Sequence, residues 1–149
     1  MPSTAKFKPA QSRQRSIGFS HAINRNWQWQ FEAFQREFRD ILEYSENAVY
    51  ITSNRNWEQS VTSGTGDVEG MEFQIQHSSA RWSGLLSYTW MRNTRSFAAV
   101  NGGLAFPSRY DRRHNIYATV FYKFNKKWTF SGSWMYNSGF AYTRPVGII

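Results

Sequence analysis

The chain has 149 residues, a formal charge of +8 and no cysteine. That length allows one domain, and the absence of thiols excludes a disulfide scaffold and thiolate-bound metal. Seven Trp, eight Tyr and twelve Phe are more than a core of this size needs, yet no run of about eighteen apolar residues exists, so no transmembrane helix is expected. Mean hydropathy is −0.64, a soluble value. Transmembrane β-barrels escape this measure because half of each strand faces a polar lumen. The opening MPSTAKFKPAQSRQRS has no apolar h-region and does not read as a signal peptide. The chain is therefore expected to begin inside a longer protein.

The first alternating stretch runs from Ser16 to Ile23, with Ile17, Phe19, His21 and Ile23 on one face. Residues 1–15 are polar and read as a lead-in. Asn24-Arg25-Asn26 is a tight turn. Trp27, Trp29, Phe31 and Ala33 then alternate. From Phe34 to Leu42 the period blurs towards a helical one; a strand with a phase slip, such as a bulge, is preferred. Residues 45–66 are rich in Ser, Asn, Thr and Gly and read as a long loop.

Strand three runs from Asp67 to His77, with Met71, Phe73 and Ile75 apolar. A short turn over Ser78 to Arg81 leads to strand four, Trp82 to Thr94, which places Trp82, Gly84, Leu86, Tyr88 and Trp90 on one face. A loop holding Asn101-Gly102-Gly103 and Pro107 runs to Arg112. Strand five covers Arg113 to Phe124, with Ile116, Ala118, Val120 and Tyr122 in phase. Asn125-Lys126-Lys127 turns the chain, and strand six covers Trp128 to Phe140 through Phe130, Trp134 and Tyr136. Successive side chains of a strand point to opposite faces, so each segment has one apolar and one polar face.

The connections go short, long, short, long, short, as do the periplasmic turns and extracellular loops of outer-membrane barrels. Trp82 and Trp90 lie eight residues apart on one face, roughly 26 Å along a strand and about 20 Å of height at a tilt of about 40°, near the apolar band of such barrels. Trp82, Tyr88, Trp90, Trp128, Trp134 and Tyr136 are the expected aromatic girdle. The fold class is thus all-β: an antiparallel up-and-down transmembrane barrel segment of about six strands, with a lipid bilayer as its partner. A soluble basic β-domain binding nucleic acid is the alternative from another class. The dispersed pairs Arg13/Arg15, Arg92/Arg95, Arg112/Arg113 and Lys126/Lys127 come with no Gly-rich phosphate loop and no recognition helix, so nucleic acid is not the expected partner.

The stretches GDVEGMEFQIQ (66–76), WSGLLSYTWMRNTRSF (82–97), FPSRYDRRHNIYATVFYKFNKKW (106–128) and WMYNSGFAYTRPVG (134–147) resemble the barrel of TonB-dependent outer-membrane receptors, notably the nutrient receptors common in Bacteroidetes. KPAQSRQRSIGF (8–19) and WQFEAFQREFRDIL (29–42) resemble the segments before them. Tyr110 to Asn115 is the most specific piece. The resemblance implies active nutrient uptake, with ligand bound from outside and a plug displaced by the TonB complex. It departs in lacking a signal, a TonB-contacting box and a plug domain, and in supplying about six of the family's roughly twenty-two strands. Residues 1–149 are therefore expected to be a partial receptor barrel, meeting the remaining wall and plug, and meeting TonB only through parts not present here. A small non-TonB outer-membrane barrel is the nearer alternative.

No catalytic constellation is found. His21, His77 and His114 have no metal-ligand spacing, and Ser138-Gly139 lacks the context of a nucleophile elbow. No enzyme activity, cofactor or metal is expected. The box Tyr110, Asp111, Arg112, Arg113, His114 and Asn115 is expected to be structural, where a loop enters the wall. The resemblance implies that loops on the ligand side carry the contacts, which makes Arg55, Trp57, Arg95, Phe97 and Arg109 the candidates. The ligand itself is not identified.

Overall fold

The computed structural model describes residues 7–45, 58 and 60–142. These contain one antiparallel sheet built from β1 (Gln11–Ala22), β2 (Trp27–Tyr44), β3 (Val61–Ser78), β4 (Trp82–Phe97), β5 (Phe106–Pro107), β6 (His114–Lys123) and β7 (Thr129–Asn137). The order across the sheet is β1-β2-β3-β4-β6-β7, with β5 paired to the loop-side end of β4. The outer edges of β1 and β7 carry no partner strand among the described residues.

The three short connections are closed by side chains. Asn24 Oδ1 accepts the N–H groups of Asn26 and Trp27 at 2.9 and 3.0 Å. Asn125 Oδ1 does the same for Lys127 and Trp128 at 2.8 and 2.9 Å. Ser79 Oγ donates to the Trp82 carbonyl and accepts from its N–H. Short polar side chains that bond their own backbone are what tight turns require.

The register puts all the apolar phases on one face. Ile17 pairs with Ala33, Ala33 with Met71 and Met71 with Trp90; Phe19, Phe31, Phe73, Tyr88, Ile116 and Tyr136 form another row. The opposite face is mostly Gln, Ser, Thr, Asn and Glu, with Leu85, Tyr117, Phe121 and Met135 among them. Only Val68 and Phe97 are buried apolar residues among those described, while Phe19 is 61% and Trp134 57% exposed. A water-soluble sheet with this many bare aromatics would leave its main driving force unused. The apolar face needs an apolar solvent, which argues against the soluble alternative.

The hairpins are staggered. The first closes at Ile23–Trp27; Trp27 is level with His77, and His77 with Gly84. The second closes at Ser79–Trp82, two residues further along β4. The third closes at Phe124–Trp128, two residues beyond Tyr122, the partner of Trp82. If the turns lie at one membrane surface, two residues of shift per two strands is roughly 6.6 Å against 9.6 Å, a strand tilt of roughly 35°. That is the tilt of a transmembrane barrel wall.

Several strand limits differ from the sequence reading. Gln11–Arg15, expected as lead-in, is the start of β1 and pairs with Arg39–Gln35. Val61–Gly66, expected as loop, is strand and pairs with β2 and β4. The fourth strand continues to Phe97, the last ends at Asn137 rather than Phe140, and β5 was not foreseen. In Gln11–Arg15 and in most of Val61–Gly66 both faces are polar or glycine, so period-two alternation disappears although the ladder continues. At Gly70 a Cβ would lie 2.6 Å from the Phe34 ring and 2.7 Å from the Trp90 carbonyl; the missing side chain makes room for the ring.

The blurred stretch from Phe34 to Leu42 is strand. Phe38 pairs with Gly66 and Ile41 with Gly64, so two residues of β2 stand against one of β3. Asp40 takes φ 55° there, a conformation that Asp tolerates better than bulky or branched residues. The bulge changes the phase. Ile41 and Glu43, not Asp40 and Leu42, share the inner face with Phe38. Asp40→Gly should hold or raise the midpoint of urea unfolding in detergent, and Asp40→Val should lower stability by about 1–2 kcal/mol.

Candidate ligand-side loop end

The end of the sheet opposite the short turns is organised by the chain between β4 and β6. After Phe97 it turns through Asn101–Gly103, where Asn101, Gly102 and Gly103 have φ 52°, 61° and 80°. It returns as β5 against Thr94 and Arg95. Phe106 lies against Phe97, ring centroids 6.2 Å apart, and Phe97 is 1% exposed. Phe97 therefore offers no free surface to a ligand.

Between β5 and β6 the chain steps off the ladder, and the box residues bridge the gap. The Ser108 N–H donates to the Asn93 carbonyl at 2.9 Å, and the Asp111 N–H closes a turn onto the Ser108 carbonyl at 2.8 Å. The Asp111 carboxylate is buried. Its Oδ1 accepts the Asn93 N–H at 2.7 Å and its Oδ2 accepts Arg113 Nε at 2.8 Å. Asp111 thus stands in for a strand carbonyl where pairing is interrupted, and Arg113 balances the buried charge. The Met91 N–H then donates to the Arg113 carbonyl and the ladder resumes at His114. Asn115 Nδ2 donates to the Arg112 carbonyl at 3.2 Å. The His114 N–H donates to Ser138 Oγ at 3.0 Å, and His114 Nδ1 lies 2.9 Å from the Tyr88 hydroxyl.

Outside this anchor is a cluster of the exposed Arg109 and Tyr110 with the half-buried Arg95. The guanidinium carbons of Arg109 and Arg95 lie 4.9 and 5.9 Å from the centre of the Tyr110 ring. Arg95 also faces Glu43 at 3.9 Å, a partner that the bulge in β2 turns to this face. Arg112 lies 5.9 Å from the Phe140 ring centre. The structure thus brings Arg95 and Arg109 together through Tyr110. Arg55 and Trp57 lie outside the described residues. Tyr110 and Glu43 were not foreseen in this cluster, and nothing local in the sequence signals either.

Of the girdle residues, Trp82, Tyr88, Trp90, Trp134 and Tyr136 stand in phase on the apolar face, and Trp128 closes the third turn. Trp134 pairs with Ala118 and Ala118 with Leu86, in the middle of the ladder rows. At the turn end His77 is buried between Trp82, 3.7 Å away and stacked, and Trp27, 4.5 Å away. Neither ring nitrogen of His77 has a hydrogen-bond partner. No group of three or more metal-ligating side chains occurs among the described residues.

Asp111→Ala should cost about 1–3 kcal/mol, because it leaves the Asn93 N–H unpaired and removes the counter-charge of Arg113. Asp111→Asn, which keeps an acceptor, should cost less. Protease cleavage between residues 98 and 113, in detergent, reads the loosened loop directly.

Comparison with curated proteins and with solved structures returned no match. A family model described as TonB dependent receptor-like, beta-barrel, matches residues 2–147, nearly the whole chain. With one apolar face, staggered antiparallel hairpins and this match, the chain belongs to the TonB-dependent receptor family, whose barrels sit in the outer membrane, and its sheet is receptor-barrel wall.

Proposed function

We propose that residues 1–149 supply six wall strands and two ligand-side loops to an outer-membrane receptor that takes up a nutrient actively. The observation that carries this reading is the pairing of one bare apolar face with a stagger of two residues per hairpin. Together these suit a tilted wall that faces lipid outside and water inside. The unpaired edges of β1 and β7 call for neighbouring strands, since a bilayer cannot satisfy open backbone groups. Further wall strands and a plug complete the receptor on this reading, and coupling to TonB acts through the plug rather than through this sheet.

The ligand meets the loop end, and Arg95, Arg109 and Tyr110 are the residues placed to touch it. The half-buried Arg95 and the exposed Arg109 and Tyr110 provide charge and stacking. The proposed role is binding and passage.

The chain is free of cysteine, which gives a clean orientation test. Leu104→Cys in the loop should react on intact cells with a maleimide too large to cross the outer membrane. Lys126→Cys in the third turn should react only after the membrane is opened. Labelling of the turn alone would reverse the wall, and labelling of both on intact cells would remove the chain from the membrane.

A further inference from the structure

The two ends of the sheet differ in how charge is arranged. The three short turns carry Arg25, Arg81, Lys126 and Lys127, and β6 ends beside the third turn on Lys123, in the phase of Thr119 and Phe121; all five are exposed. The ten carboxylates of the chain all lie elsewhere. The nearest, Glu32 and Glu72, are each five residues in from Trp27 and His77. None of the five cations makes an ion pair with another described residue. At the loop end, four arginines have carboxylate partners: Arg39 with Glu37, Arg92 with Glu69, Arg95 with Glu43 and Arg113 with Asp111.

The turns leave these cations available. In the first and third turns the asparagine side chain satisfies the backbone, so Arg25, Lys126 and Lys127 are not needed for closure. Directly beside them the apolar face ends in rings: Trp27, Trp82, Tyr122, Phe124 and Trp128. Indoles and phenols of this kind settle at headgroup depth. Long basic side chains one step further out reach lipid phosphates while their stems lie along apolar surface.

We propose that the turn end of this sheet is a cationic, aromatic-backed collar that binds the headgroups of anionic phospholipids in the leaflet it faces. At the turn end no carboxylate lies within the turns, and the charge is continuous with the lipid-facing band. Each basic residue held at an anionic membrane surface raises binding by about fivefold. The inference rests on the membrane-wall reading and not on what the receptor carries.

The test titrates the full chain with vesicles of phosphatidylcholine, or of phosphatidylcholine with about one third phosphatidylglycerol, and follows tryptophan fluorescence. The native chain should favour the anionic vesicles at least about tenfold. Changing Arg25, Arg81, Lys123, Lys126 and Lys127 to Gln should abolish that preference. Changing Lys8, Arg13, Arg15, Arg39 and Arg112 to Gln removes the same charge from the loop end and should leave most of it. Excess inorganic phosphate should not compete. Equal losses in the two variants would mean diffuse charge and would overturn the proposal. So would absence of any preference, and competition by phosphate would assign a free-anion site instead. If the five-fold variant lacks β structure in detergent, R25Q, R81Q and K126Q/K127Q made separately should give graded losses, and no loss in any of them would overturn it. Circular dichroism in vesicles of either composition checks the wall reading separately.

Discussion

The constraint on which the rest of this structure depends is that hydrocarbon offers no hydrogen bonds. A backbone lying in it must pair every N–H and C=O internally, and the six long strands pair with neighbours that follow one another in the chain, leaving only the outer edges of β1 and β7 without a partner strand among the described residues. Once the backbone is committed to a ladder, side chains alternate between two solvents. One face collects Ile17, Phe19, Phe31, Phe73, Leu86, Val120 and Trp134, and the other collects Gln30, Gln74, Ser87, Thr119 and Ser133. The lack of a buried core is then a consequence rather than a defect. The outer face is stabilised by lipid, and the inner face by water or by whatever fills the barrel.

Where the chain leaves the apolar band, the same ladder is held by other means. Short polar side chains close the turns. At the far end a bulge at Asp40 resets the phase of β2, so that Ile41 and Glu43 point inward. Glu43 then reaches Arg95, and Asp111 fills the break between β5 and β6 by accepting the Asn93 N–H. The arginines around Tyr110 are thus held on a fixed frame rather than on a free loop. The proposed binding surface would keep its geometry on such a rigid scaffold.

Most of the wall was legible in the sequence because lipid and water impose period two on Met71 to Ile75, Trp82 to Trp90, Ile116 to Tyr122 and Phe130 to Tyr136. The short turns were legible through Asn24, Ser79 and Asn125. The signal failed where both faces are wet. Gln11–Arg15 and Val61–Gly66 pair as strand without alternating. The two-residue β5 is too short to carry any period. The cluster of Arg95, Arg109 and Tyr110 depends on a chain reversal over some fifteen residues, and Glu43 reaches it only through the bulge. Such contacts are tertiary and leave no local mark. Family resemblance at Tyr110 to Asn115 pointed to the box, but the bond from Asp111 to Asn93 is visible only in the fold.

The central claim is that alternate residues of one strand face lipid and water. It is tested most directly by placing spin labels singly at positions 116 to 122 of β6, which the cysteine-free chain permits, and measuring collision with oxygen and with a water-soluble nickel complex in bilayers. The account predicts high oxygen and low nickel access at 116, 118, 120 and 122, and the reverse at 117, 119 and 121. Access that does not alternate, or that alternates in the opposite phase, would contradict it.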